Sequence, residues 1–309
     1  MAADDILREK LRTLPARLQQ AIVGQNEAVA LVAERLQHGE LGLTKRGRPR
    51  ASFLLLGPTG VGKTELSLQF TEDLIGAGKL VRLDMSEYQT QDRLALLLGT
   101  SGDDPGRIAE GYDACSGVGT LLFDEIEKAH PRVLNIMLQL LDAARLTTGS
   151  NRVLDFSSWY CVLTSNTGAQ RIMAMRKSKY ETMERLVRQD AQRELSPELF
   201  ARITATVVFN KLSYEAQCRI AEAMLARELH EQSARGYAMT TDANAVEVVI
   251  QHGYDDRLGA RPMRDATERL VRNALAENLL NGGRGVGRLQ VHPAGTKLEL
   301  LPAATAAAA

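Results

Sequence analysis

Short apolar runs alternate with helix-type periodicity over the first two thirds of the chain. Each run is four or five residues long and is bounded by polar or turn residues, which is typical of buried strands. The stretches between the runs repeat apolar residues with the spacing of amphipathic helices. Strands that alternate with helices favour a parallel sheet flanked by helices, so we predict an α/β fold. The predicted strands are Phe53–Leu56, Leu80–Leu83, Thr120–Phe123, Trp159–Leu163 and Thr206–Phe209.

The pattern differs at the two ends of the chain. Near the start, leucines at helical spacing form one apolar face, which predicts a helix packed on its own domain: Leu7, Leu11, Leu14 and Leu18. From residue 213 onward the pattern is mostly helical and ends in a predicted hairpin. We therefore predict four parts: an N-terminal amphipathic helix over 1–20, a large α/β domain over 21–210, a small helical domain over 211–302, and a disordered alanine-rich tail over 303–309.

Residues 57–64 read Gly-Pro-Thr-Gly-Val-Gly-Lys-Thr, which is a complete phosphate-binding loop. Its glycines allow backbone N–H groups to face phosphate oxygens, Lys63 can reach the β- and γ-phosphates, and the Thr64 hydroxyl can bind Mg²⁺. The apolar run before the loop and the helix after it place a helix N-terminus at the phosphates. We predict nucleotide binding by Gly57, Pro58, Thr59, Gly60, Val61, Gly62, Lys63, Thr64 and Glu65.

A second apolar run ends in the paired carboxylates Asp124 and Glu125. Asp124 can hold Mg²⁺, and Glu125 can polarise the water that attacks the terminal phosphate. A protein that only binds nucleotide has no use for the second carboxylate. The pair therefore favours hydrolysis of a nucleoside triphosphate over binding alone.

Charge and cysteine content exclude several other classes of protein. The formal net charge is zero with 25% charged residues, which argues against broad binding to nucleic acid or to an anionic membrane. The basic loop over 39–50 is either a solvated connector, which we favour, or a contact for nucleic acid or a partner. Three cysteines without paired spacing, no long apolar run and no leader-like start favour a cytoplasmic protein.

Several motifs, taken together, resemble those of the Clp-type AAA+ ATPases, above all the second ATPase module of the Clp disaggregases and unfoldases. The resemblance extends over nearly the whole chain. The matching stretches are Val23-Gly24-Gln25, Ser52–Leu66, Asp84–Tyr88, Leu122–Pro131, Thr164-Ser165-Asn166, Gly253-Tyr254-Asp255 and Gly259-Ala260-Arg261-Pro262.

The resemblance implies an AAA+ parallel sheet with the phosphate loop on the central strand, a small C-terminal lid domain, and ATP and Mg²⁺ as the bound groups. It also implies a homo-hexameric ring and four further site residues. Val23 would lie beside the adenine, Asn166 would contact the attacking water or the γ-phosphate, and Arg261 would reach the phosphates from the small domain. Arg202 would project into the nucleotide site of the neighbouring subunit, although Ala201 and Thr204 replace the residues that usually flank it in the family.

Other departures from the family concern how a ring would grip a protein. The unfoldases carry an aromatic pore loop, but residues 100–108 contain no aromatic side chain, and residues 147–152 are small and polar. We interpret Tyr112, the nearest aromatic residue, as part of helix packing. Residues 167–196 lack the tripeptide that docks protease-coupled relatives, so we expect no docking of a Clp-type protease.

Three functions stay open on these grounds. The first is a ring-forming ATPase that acts as a nucleotide-driven assembly or remodelling factor for a protein partner. The second is a chaperone that threads and unfolds protein clients. A DNA-directed loader is a weaker third, because the neutral chain shows no recognisable DNA-binding module. The sequence does not identify the partner or client protein.

Overall fold

The computed structural model describes residues 2–100, 104–175 and 178–302. These residues form two compact units. The first contains Gly62–Lys211 together with the chain before Thr59, and the second contains Thr59–Val61 together with the chain from Leu212 onward. None of the helices within the described ranges is long and apolar enough to cross a membrane. The predicted tail over 303–309 lies outside the described residues.

Twelve α-helices and ten strands occur along the described chain. The helices are α1 (Ala2–Ala21), α2 (Asn26–Glu40), α3 (Lys63–Leu74), α4 (Leu94–Leu98), α5 (Arg107–Ala114), α6 (Pro131–Ala143), α7 (Ala169–Ala174), α8 (Tyr180–Glu194), α9 (Pro197–Arg202), α10 (Tyr214–Ala234), α11 (Ala245–Gly253) and α12 (Arg261–Leu280). The strands are β1 (Ala51–Leu56), β2 (Leu80–Asp84), β3 (Thr120–Asp124), β4 (Arg145–Thr147), β5 (Val153–Asp155), β6 (Tyr160–Ser165), β7 (Ala205–Val208), β8 (Met239–Thr241), β9 (Gly287–Val291) and β10 (Leu298–Leu301).

The first unit is built on a five-stranded parallel sheet in the order β2-β3-β6-β1-β7, flanked by helices. This confirms the predicted α/β class. The prediction that the phosphate-loop strand is central is wrong, because β6 occupies the centre and β1 lies second from the edge. Every residue of β1 and of β6 is buried, so burial alone does not distinguish a central strand from its neighbour.

The amphipathic N-terminal helix packs on its own unit, as predicted. Leu11, Leu14 and Leu18 are buried, and the Arg17 guanidinium pairs with Asp73 of α3 at 2.8 Å. Phe70 of α3 and Tyr160 of β6 also pack together, with their rings edge-on and the ring centroids 5.6 Å apart. Helix α1 therefore packs into the core of the first unit.

A small two-stranded hairpin, β4 with β5, was not predicted. Each strand has three residues, of which only the middle one, Leu146 or Leu154, is buried. Three residues are too few to show the period-2 repeat of a half-buried strand. The loop over 147–152, predicted as small and polar, lies at the tip of this hairpin.

The second unit combines three long helices with a three-stranded sheet. α10, α11 and α12 pack together, and the sheet has the order β10-β9-β8. β9 and β10 form the predicted antiparallel hairpin, whereas β8 pairs with β9 in parallel and was not predicted. α12 begins at Arg261 with a proline in its first turn, where proline is well tolerated.

Candidate active site

The segment between β1 and α3 has the backbone geometry of a phosphate cradle. Gly57 has φ of 142°, and a Cβ atom there would lie 2.6 Å from the carbonyl oxygen of Phe209. Gly62 caps α3 in a left-handed conformation, with φ of 105°. Both positions require glycine because an L side chain would strain or clash. The N-terminus of α3 therefore opens at the end of β1, where backbone N–H groups can meet an anion.

Lys63 is buried, and its ammonium is satisfied inside the protein. It donates hydrogen bonds to the carbonyl oxygens of Gly57 at 2.5 Å and Pro58 at 2.8 Å, and to Asn166 Oδ1 at 3.0 Å. Burial lowers the pKa of Lys63 to about 8, partly opposed by the nearby charges of Glu127, Asp124 and Glu125. Lys63 is the first residue of α3, so its ammonium lies beside the helix N-terminus, and the nearby carboxylates favour its charged form, which can pair with phosphate oxygens.

Asp124 ends β3 with both carboxylate oxygens engaged. Thr164 of the neighbouring strand β6 donates its hydroxyl to Oδ1, and Arg82 of β2 donates to Oδ2 at 2.5 Å. The residue is 7% exposed, so these partners compensate the cost of burying its charge. The Thr164 oxygen also accepts the Glu125 N–H at 3.0 Å, which fixes the backbone between the two acidic residues.

Glu125 leaves the strand in a left-handed conformation, with φ of 58°. This conformation is uncommon for a residue with a side chain, and such residues are frequent at functional sites. The carboxylate forms an ion pair with Lys128, and its other oxygen accepts from Asn166 Nδ2 at 3.4 Å. The side chain thereby faces Asn166.

Asn166 forms hydrogen bonds with both the phosphate loop and the acidic pair. Its side-chain oxygen accepts from Lys63 of the phosphate loop, and its side-chain nitrogen donates to Glu125. Its backbone N–H donates to Glu127 Oε1 at 3.1 Å. The structure thus brings Lys63, Glu125 and Asn166 into one hydrogen-bonded group beside Asp124.

The remaining predicted site residues have no described contact with the Lys63, Glu125 and Asn166 group. Val23 is half-buried in the turn between α1 and α2. Arg202 ends α9, where it pairs with Asp142 at 3.4 Å and donates to the Glu198 carbonyl oxygen at 3.0 Å. Thr59, Gly60, Val61 and Arg261 belong to the second unit. The predicted roles of these residues stay predictions.

The residues present fit a nucleotide with a hard metal ion. The Asp124 carboxylate and the Thr64 hydroxyl are oxygen ligands of the kind that Mg²⁺ prefers, with phosphate and water oxygens completing its shell. Within the described ranges, no cluster of three or more His, Cys, Asp or Glu side chains could hold a metal alone. A metal brought in by the phosphates is the arrangement that this donor set favours.

Sequence reasoning assigned no role to three residues that contact this group: Arg82, Thr164 and Glu127. Thr164 and Glu127 lie inside recognised motifs, and Arg82 lies two residues before the end of β2. Their contacts depend on β3 lying between β2 and β6, which is a property of the folded sheet. A polar side chain at or near the carboxyl end of an adjacent strand was the only indication available from the sequence.

Tyr112 has the packing role that was predicted for it, and His130 also has a structural role. His130 Nδ1 accepts the Arg132 N–H and caps α6. The ring of Tyr112 stacks on Trp159 with centroids 5.5 Å apart and contacts Phe156 edge-on. Tyr112 therefore packs inside the unit.

Of the predicted aromatic-free loop over 100–108, residues 101–103 lie outside the described ranges. The two sides of its base are joined, since the Thr100 N–H donates to the Asp104 carbonyl oxygen at 3.1 Å. The Thr100 hydroxyl donates to Asp104 Oδ2 at 3.0 Å. The Gly149 N–H donates to the Leu98 carbonyl oxygen at 2.9 Å, which connects this base to the tip of the β4–β5 hairpin.

Comparisons with known proteins agree with the architecture and with the motifs. Residues 48–206 match the model of the AAA domain (Cdc48 subfamily), and residues 212–289 match the C-terminal, D2-small domain, of ClpB protein. The chaperone protein ClpB 1 of Synechococcus elongatus is 36% identical over 284 residues, which cover 89% of this chain and 32% of that protein. The ATP-binding subunit ClpC of a Clp protease from Staphylococcus epidermidis is 33% identical over 295 residues, covering 91% of this chain and 36% of that subunit.

Solved structures show the same fold. The closed state of Hsp104 with ATPγS and FITC casein has a TM-score of 0.85 and 32% identity, covering 96% of this chain and 52% of that one. The ADP complex of Hsp104 from S. cerevisiae gives the same TM-score and identity. The chain spans about a third of the length of the curated relatives it matches. It belongs to the Clp-type AAA+ ATPases, a nucleotide-binding family whose members hydrolyse ATP, and it corresponds to their second ATPase module.

Proposed function

We propose that this chain binds ATP with Mg²⁺ and hydrolyses the β–γ phosphate bond, and that it uses the cycle to remodel or assemble a protein partner. The observation that carries the proposal is the placement of Asn166 between Lys63 of the phosphate loop and Glu125 of the acidic pair. A binding module needs the loop alone. Only hydrolysis needs a carboxylate and a polar amide at the position of the terminal phosphate.

Different residues of the site bind the phosphates, hold the metal and activate the water. The N-terminus of α3 and Lys63 bind the phosphates, and Thr64 with Asp124 hold Mg²⁺. When bound, Mg²⁺ neutralises negative charge on the β- and γ-phosphates. Glu125 accepts the proton of the attacking water, and Asn166 orients that water or the γ-phosphate.

Groups that would contact ATP and water also have partners within the protein. Phosphate oxygens would replace a carbonyl or amide partner of Lys63, and water would compete with Lys128 for Glu125. Arg82 and Mg²⁺ compete for the same carboxylate, Asp124. The substrate supplies the charges that make these exchanges favourable, because phosphate oxygens form charge-assisted hydrogen bonds to the ammonium.

We further propose that catalysis is shared between neighbouring subunits of a homo-hexameric ring. The described contacts of the Arg202 side chain reach Asp142 and the Glu198 carbonyl oxygen, and none of them reaches the Lys63 group. A guanidinium supplied by a neighbour accelerates phosphoryl transfer by about 10³–10⁵ in other NTPases. The contact with Asp142 provides an acidic partner for Arg202 where the usual flanking residues are replaced.

A threading chaperone is the second candidate, and the relatives favour it. The matched ClpB proteins are named chaperones, and one Hsp104 structure contains FITC casein. Against threading, the described part of the loop over 100–108 has no aromatic side chain, and Tyr112 is occupied in packing. We therefore favour remodelling or assembly of a partner without threading.

Phosphate release from ATP tests the hydrolytic part of the proposal. Wild-type protein should release phosphate with Mg²⁺ present and stop when EDTA removes the metal. Asn166→Ala should still bind a fluorescent ATP analogue but lose most of its turnover. Phosphate release by Asn166→Ala at the wild-type rate would contradict the assignment of the site.

A further inference from the structure

Glu127 has an acidic side chain at the candidate site, but the proposed reaction gives it no role. It lies in the single 3-10 turn Ile126–Lys128 that follows Asp124 and Glu125. Its Oε1 atom accepts the backbone N–H of Asn166 at 3.1 Å. Its negative charge also raises the pKa of Lys63, and it does so more than the charges of Asp124 and Glu125. Glu125 thus contacts the Asn166 side chain, and Glu127, two residues later, contacts the Asn166 backbone.

The contact matters because Asn166 follows the last residue of β6. At that point the backbone has left the sheet, so the register of the strand no longer fixes its direction. The side-chain amide nevertheless has to reach Lys63 on one side and Glu125 on the other, at 3.0 Å and 3.4 Å. The direction of the Asn166 backbone therefore decides whether its side chain lies between them.

We propose that Glu127 is a positioning residue that holds the Asn166 backbone so that the Asn166 side chain lies between the phosphate loop and Glu125. This role rests on the proposed hydrolysis of ATP. It assigns Glu127 no contact with substrate or metal, and the hydrogen bond to the Asn166 N–H carries the role. The hydrogen bond then joins the turn that follows Glu125 to the residue that follows β6.

The proposal predicts a specific pattern of kinetic changes. Glu127→Ala should lower kcat about tenfold or more, because small misplacements at a catalytic site cost one to two orders of magnitude in rate. The dissociation constant for ATP should change less than about threefold, since the phosphate loop is intact. Glu127→Gln should retain most of kcat, because an amide oxygen can accept the same N–H bond. Glu110→Ala, which removes another exposed glutamate, is the matched control and should resemble the wild type.

A double-mutant cycle distinguishes positioning from an independent role. In an Asn166→Ala background, adding Glu127→Ala should cause no further loss of kcat. A further tenfold loss there would overturn the proposal, because Glu127 would then act on the reaction by another route. Equal impairment of Glu127→Ala and Glu127→Gln would also overturn it, since the charge and not the hydrogen bond would be needed.

Failure of this inference is distinguishable from failure of the proposed function. Wild-type kcat in Glu127→Ala, combined with a large loss in Asn166→Ala, would remove the role of Glu127 and leave the proposed reaction intact. Absence of phosphate release by the wild type would instead contradict the proposed function itself. Thermal unfolding of each variant, measured without nucleotide, identifies any loss that comes from a damaged fold.

Discussion

The side-chain oxygen of Asn166 accepts a hydrogen bond from the Lys63 ammonium at 3.0 Å, although the two residues are 103 positions apart in the chain. One lies at the start of α3 and the other directly after β6, so the contact depends on β1 and β6 being neighbours in the sheet. This bond engages the lysine that is proposed to bind the phosphates. It also places the amide within reach of Glu125. The same residue thus joins the binding half of the site to its hydrolytic half.

Lys63→Ala should weaken ATP binding by about ten- to a hundredfold, because a charge-assisted hydrogen bond contributes about 1.5–3 kcal/mol. Titration with a fluorescent ATP analogue measures the change. Lys45→Ala, in the basic loop over 39–50, removes a positive charge elsewhere and should bind ATP like the wild type. Equal affinities of Lys63→Ala and the control would show that the phosphates do not contact Lys63.

Thr164→Val should destabilise the protein and slow hydrolysis while ATP binding persists. The Thr164 hydroxyl donates to Asp124 and accepts from the Glu125 N–H, and valine has the same shape without either bond. Loss of these buried partners should lower the free energy of unfolding by about 1–2 kcal/mol. Denaturant unfolding and phosphate release measure the two effects.

Thr206→Val, on β7 of the same sheet, is the matched control. Its effect on hydrolysis should be small, because no described hydrogen bond joins this side chain to the acidic pair. If Thr164→Val and Thr206→Val slowed hydrolysis equally, the loss would reflect a damaged sheet and not the bonds to Asp124 and Glu125.

The fold could be predicted from the sequence where the pattern of apolar residues was long enough. The five strands of the parallel sheet were placed within two residues of their observed bounds, and the chain from residue 213 onward was predicted as mostly helical, where α10, α11 and α12 lie. The strands β4, β5 and β8 were missed, because three-residue strands show no measurable period. The central position of β6 was also missed, since β1 and β6 are equally buried.

In the candidate site, the sequence indicates the residues that lie in motifs but not the contacts that depend on the order of the strands. Lys63, Asp124 and Glu125 lie in contiguous motifs whose residue types indicate their chemistry, and Asn166 was expected beside the strand of the acidic pair. That strand, β3, does pair with β6. The contacts of Arg82, Thr164 and Glu127 cross between strands or between a turn and a strand, so they depend on the order of the sheet. A single sequence does not specify such contacts.

Arg202→Ala should bind ATP normally and hydrolyse it slowly, because its guanidinium would act in the neighbouring subunit. Glu125→Gln subunits should be inactive for a different reason. Mixing the two inactive proteins should restore some phosphate release at interfaces that carry one intact copy of each residue. Sedimentation velocity should show a hexamer under the same conditions. A monomer throughout, with a specific activity independent of protein concentration, would exclude a shared site.

The protein should not unfold a tagged fluorescent protein in the presence of ATP. A translocating ring transmits force through side chains that contact the client, and aromatic residues provide large contact area for this purpose. The described residues of the loop over 100–108 include no aromatic side chain, and Asp104 would add one negative charge per subunit. The measurement is the loss of native fluorescence over time. Unfolding that requires ATP and stops in Glu125→Gln would establish the threading chaperone instead.

Glu125→Gln should show whether Glu125 activates the water that attacks ATP. The amide keeps the shape of the side chain but does not accept a proton as a carboxylate does, so turnover should fall by about 10²–10⁴. Affinity for ATP should stay within about threefold of the wild type, because Lys63 and the N-terminus of α3 are unchanged. The measurement is phosphate release alongside ATP binding on the same preparation. Retained binding with lost turnover is the predicted result, and turnover at the wild-type rate would contradict the account.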